Sequence, residues 1–71
     1  MMKAEVWTIP EKRRVIVRLF DVPFVPVPPE GAGEKLGTFE APMFGWGQAG
    51  EVARAKAAEL NYLVEFEDDQ L

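Results

Sequence analysis

Gly45-Trp46-Gly47-Gln48-Ala49-Gly50 is the stretch whose residue types come nearest to a chemical motif. Glycines at this spacing leave backbone N–H groups free at the start of a helix, where the helix dipole favours an anion. Phe44 and Trp46 add flat apolar surface on which a base could stack. The run has the form of a dinucleotide fingerprint, with Glu65, Glu67 and Asp68 near the ~20-residue offset of a ribose-binding acid. Three features oppose that reading. Glu40-Ala41-Pro42 is poor material for the buried strand the fingerprint requires. Trp46 is bulky where the turn should be tight. A dinucleotide domain also needs more strand–helix units than 71 residues supply. What survives is a milder expectation: a small anionic or nucleotide-like ligand held by Phe44, Gly45, Trp46, Gly47 and Gln48.

Other chemistry is sparse. The chain has no cysteine, histidine or serine. That excludes Ser-His-Asp and Cys-His catalysis, thiolate or imidazole metal sites, and disulfides. Carboxylates, lysines, Thr8, Thr38 and Tyr62 remain. Glu65, Glu67, Asp68 and Asp69 are oxygen ligands by type but lack the spacing of a calcium loop, and read as a solvated acidic end. No catalytic residue, metal ligand or cofactor is expected, and the chain reads as a non-enzyme.

Charge is uneven. Residues 1–20 carry +3, residues 21–50 carry −3 and residues 51–71 carry −4, for a net charge of −4. A net anion is a poor general ligand for phosphate backbones, so nucleic acid is an improbable partner. The basic set Lys12, Arg13, Arg14 and Arg18 has a nearer use, pairing with Glu65 and Glu67 of a last strand. No apolar run has the ~18 residues of a membrane span. The first residues lack the apolar core of a signal peptide. The expectation is a small acidic cytoplasmic protein of viral or prokaryotic type.

The elements follow from periodicity. Ala4, Val6 and Thr8 alternate with Glu5, Trp7 and Ile9, as in a strand. Pro10-Glu11-Lys12-Arg13 is a turn. Val15, Val17 and Leu19 form one face of a second strand, and Arg14, Ile16, Arg18 and Phe20 the other. The two strands should pair as an antiparallel hairpin. Its second face is too apolar for water, so Ile16 and Phe20 require a cover: the following arm, the last strand or another subunit. Residues 23–30, Pro-Phe-Val-Pro-Val-Pro-Pro-Glu, form that arm, stiff and extended in a polyproline conformation. Its Pro-x-x-Pro spacing is flanked by the acids Asp21 and Glu30 instead of the basic residue such ligands usually carry, so it reads as an arm packed on its own domain or a neighbour.

Residues 35–40 suggest a weak strand. Residues 48–61 suggest a helix, with Ala49, Val52, Ala53, Lys56, Leu60 and Leu63 on one side and Asn61 at its left-handed end. Residues 62–67 alternate again, and 68–71 form a short acidic tail. The expected architecture is a single α+β domain over 1–71: a small antiparallel sheet of three to four strands in the order β-β-arm-(β)-α-β, with one helix packed on one face.

The function that fits best is that of a non-catalytic interaction protein. It would act as a homo-oligomer or by binding a larger protein target, as phage-type inhibitors of host defence do. Ile16, Phe20, Phe24, Val25, Val27 and Trp46 are the expected partner interface. The alternative is the small-ligand binder, or nucleotide sponge, built on residues 44–50.

Overall fold

The computed structural model describes residues 1–41 and 46–68. The chain forms strands β1 (Met2–Ile9), β2 (Arg14–Asp21) and β3 (Lys35–Glu40), a helix α1 (Gly47–Leu60) and strand β4 (Leu63–Asp68). The four strands make one sheet in the order β3-β1-β2-β4. This is the α+β fold expected from the element order.

The hairpin is set by its turn. Pro10–Lys12 form one turn of 3-10 helix, and Arg13 closes it in the left-handed region (φ 52°), donating its N–H to the Pro10 carbonyl at 3.1 Å. Counting back from this turn fixes the register: Thr8 faces Val15, Val6 faces Val17, and Glu5 faces Arg18. β3 adds to the other side of β1, also antiparallel, with a register shift opposite Val6 and Trp7. Gly37 sits at this irregularity with φ +147°, and an added Cβ there would lie 2.8 Å from the Phe39 ring. The bulge therefore needs glycine.

One ladder is parallel. β4 runs alongside β2 in the same direction, pairing Val15 with Val64 and Val17 with Phe66. The cause is the helix. After β3, α1 carries the chain back to the end of the sheet where β3 began, so β4 repeats the direction of β3. β2 and β3 are both antiparallel to β1, so β4 must be parallel to β2. The sheet is thus mixed, where simple antiparallel pairing was the expectation.

The core lies between sheet and helix. Ala4, Val6, Val15 and Val17 meet Ala49, Ala53 and Ala57, all buried. Alanines four apart make a smooth stripe that lets α1 lie close to the strands. Leu60 and Leu63, expected on that stripe, are 39% and 63% exposed. The helix ends first: Asn61 takes φ 60°, and Asn61 and Tyr62 both donate to the Ala57 carbonyl. This left-handed cap turns the chain outward before Leu63. Lys56 leans out of the helix to Glu59, Nζ to Oε2 2.7 Å.

The other face of the sheet carries a second layer, the arm of residues 22–34. Phe24 donates to the Asp21 carbonyl (3.0 Å) as the chain turns away from β2. At the far end, Gly33 donates to the Thr8 carbonyl, while Thr8 donates to the Glu34 carbonyl and its Oγ1 accepts from the Glu34 N–H. A Cβ on Gly33 would stand 2.8 Å from Thr8 Oγ1 and 2.9 Å from Pro10 Cδ. Only glycine allows so close an approach. Ile16 and Phe20, each 6% exposed, are buried within the single chain.

Candidate interaction surface

The arm buries only a few of its residues. Pro26, Pro29 and Ala32 are half-buried, while Phe24, Val25, Val27, Pro28, Glu30 and Gly31 are exposed. After Pro29 the chain turns, with Ala32 donating to the Pro29 carbonyl at 3.1 Å and Gly31 at φ +77°. Of the prolines at Pro-x-x-Pro spacing, Pro26 and Pro29 are half-buried and Pro23 is exposed. The half-buried pair is spent on the chain's own domain. The outward side chains include Phe24 at 46%, Val25 at 83% and Val27 at 74% exposure.

A buried charge cluster holds the arm down. Arg18, in β2, is 7% exposed, and Glu5, in β1, is 4% exposed. Arg18 Nη1 donates to Glu5 Oε1 at 3.1 Å and to the Val27 carbonyl at 2.6 Å. Arg18 Nε lies 3.4 Å from Glu67 Oε1 on β4. Glu5 Oε2 also lies 3.7 Å from Lys35 Nζ, which stands 5.8 Å from the centre of the Trp7 ring. Of these four charges only Arg18 and Glu5 are buried under the arm; Lys35 and Glu67 remain partly exposed at its edges. Proline-rich backbone offers few N–H donors, but its carbonyls are free. The planar Arg18 guanidinium is well matched to take one carbonyl and two carboxylates at once. The expected pairing of the basic set with Glu67 is present at Arg18. Its pairing with Glu5 was not expected, although the hairpin register contained it.

The residues expected to contact a partner divide accordingly. Ile16 and Phe20 are covered by the chain itself and present no surface. Phe24, Val25 and Val27 are outward. Trp46 is not the free aromatic that was expected. It stands at the start of α1, half-buried, with its ring 4.7 Å from that of Phe66 at 35°.

The expected ligand loop lies only partly within the described residues. Phe44 and Gly45 are outside them. Gly47 takes φ +55° at the helix entry, and Gly47 and Gln48 line an open cleft of about 450 Å³ with Glu40 and Ala41. Among these lining residues the one charged group is a carboxylate, Glu40, which opposes an anion. Among the described residues no three carboxylates come together as a cation site, and no helix is long and apolar enough to cross a membrane. Compared with known proteins, the chain matches no family model, no curated protein and no solved structure.

Proposed function

We propose that this is a non-catalytic interaction protein that works by docking its arm on another protein, either further copies of itself or a larger target. The observation that carries this reading is the exposure of Phe24, Val25 and Val27 on an arm that is itself pinned to the domain by Arg18. Burying an apolar side chain of this size contributes about 1.5–3 kcal/mol when burial is complete. A stiff proline arm loses little conformational freedom on binding, so more of that gain appears as affinity. Aromatic and apolar anchors held in place are the usual centre of an interface.

The test is native mass spectrometry of the protein purified gently from its host, beside the Val25→Asp/Val27→Asp variant. The reading expects either a multiple of the 8.0 kDa chain mass or a complex with a second protein, lost in the variant. A monomer that carries a few hundred daltons of small molecule would replace it with the ligand-binding reading. A bare monomer, or a complex unchanged by the two aspartates, would overturn it.

A further inference from the structure

The outer edge of β4 offers a second surface, independent of the arm. β4 ends the sheet beside β2, and among the described residues no strand pairs with its far side. Leu63 turns its N–H to the Arg13 carbonyl at 3.1 Å. Along a parallel ladder the residues that face the neighbouring strand alternate. Leu63, Glu65 and Glu67 therefore spend their backbone groups on β2, and Val64 and Phe66 direct both N–H and C=O outward. The side chains alternate as well. Leu63 and Glu65, both exposed, and half-buried Glu67 lie on the arm face, while Val64 and the 38% exposed Phe66 lie on the helix face.

We propose that this edge accepts an extended segment of another protein in which apolar residues alternate with lysine or arginine. Val64 and Phe66 supply the ladder hydrogen bonds. Apolar side chains of the added strand lie beside Val64 and Phe66 on the helix face. One of its cations lies opposite Glu65 on the arm face, where a cross-strand pair of opposite charge is favourable, while Glu67 stays engaged by Arg18.

The same glutamates argue against a second copy as occupant. Two β4 edges paired antiparallel about a two-fold keep each face continuous. Registers centred on the strand then set the glutamates of the two copies against each other, a like-charge contact that is destabilising. Pairing β4 with the β3 edge of another copy is also poor, because the Gly37 bulge distorts β3.

The experiment is amide hydrogen exchange by NMR on the full chain with and without blocked eight-residue peptides. One peptide alternates valine and lysine, the other valine and glutamate. In the free protein the Glu65 and Glu67 amides should exchange slowly and those of Val64 and Phe66 fast. The lysine peptide should protect Val64 and Phe66, and Glu65→Lys should weaken it roughly ten-fold. Glu65→Gln, which keeps the fold and removes one charge, should fall between. Three results would overturn the proposal: protection of Val64 and Phe66 in the free protein at a concentration-dependent level, which marks self-pairing; equal effects of both peptides; or no protection by the lysine peptide. None of these outcomes bears on the arm, which the aspartate variants test separately.

Discussion

Removing the charge of Glu5 is the perturbation that probes the arm's attachment most directly. Glu5→Gln preserves shape and leaves Arg18 buried with Glu67 at 3.4 Å and the Val27 carbonyl at 2.6 Å. At 3.1 Å the lost attraction is about 5 kcal/mol at an effective dielectric of about 20. The variant also escapes the cost of burying a carboxylate, several kcal/mol in itself. The remainder is a loss of about 3 kcal/mol, the low end for breaking a buried pair, because Glu67 still shares Arg18. Arg18→Met should cost at least as much, since it also orphans the Val27 carbonyl. The double variant Glu5→Gln/Arg18→Met leaves no uncompensated charge in the pair and should lose far less than the two single losses together, with a coupling of about 2 kcal/mol. A domain of this size has only about 3–5 kcal/mol to lose. Urea unfolding of all four proteins should therefore be run in a stabilising osmolyte, followed by tryptophan fluorescence. Chymotrypsin should cut after Phe24 faster in Arg18→Met than in the parent. Additive single losses, with coupling below ~0.5 kcal/mol, would show that the two charges do not act on each other and would refute the reasoning.

Other expectations follow from the same geometry. Ala53, fully buried between helix and sheet, should not tolerate growth: Ala53→Leu is expected to cost about 1–3 kcal/mol in urea unfolding. Asn61→Ala forces alanine into the left-handed region at φ 60° and should cost about 1 kcal/mol, whereas Asn61→Gly should cost nothing. The Lys56 ammonium is held above the ordinary lysine pKa by its hydrogen bond to Glu59. Because the folded value is the higher one, this contribution is present below the ordinary value of 10.5 and is lost as pH rises through the folded one. Unfolding measured above pH 10.5 should therefore fall more steeply in the parent than in Lys56→Met.

Much of the fold could be read along the chain because its signals are local. Alternation gave both faces of the hairpin, Asn61 gave the helix end, and Lys35 to Glu40 formed a strand despite its single β-branched residue. The parallel ladder was harder, since strand direction depends on where α1 delivers the chain, a property of the whole topology. The Glu5–Arg18 pair lay between these cases. Once Pro10–Arg13 is the turn, residues whose numbers sum to a constant must face each other, and Glu5 with Arg18 is one such pair. Ile16 and Phe20, expected at the partner interface, are buried within the single chain. An apolar face shows that a cover is required and carries no information about which segment provides it.

The arm's exposed side chains follow from how that cover is made. A helix can bury one broad face, because its side chains converge on a stripe of small residues such as Ala49, Ala53 and Ala57. The arm here half-buries only Pro26, Pro29 and Ala32 between its two ends and leaves the residues around them exposed. The sheet beneath it is already filled by Ile16, Phe20, Glu5 and Arg18. A segment that served only as a lid would be stabilised by polar residues on its outer side. Phe24, Val25 and Val27 stand there instead, at a cost to solubility that another protein's surface would remove. Replacing all three by threonine or glutamine should therefore leave stability within about 0.5 kcal/mol of the parent while abolishing its complexes. A large loss of stability in that variant would show that these side chains serve the domain's own fold, and the docking role would have to be abandoned.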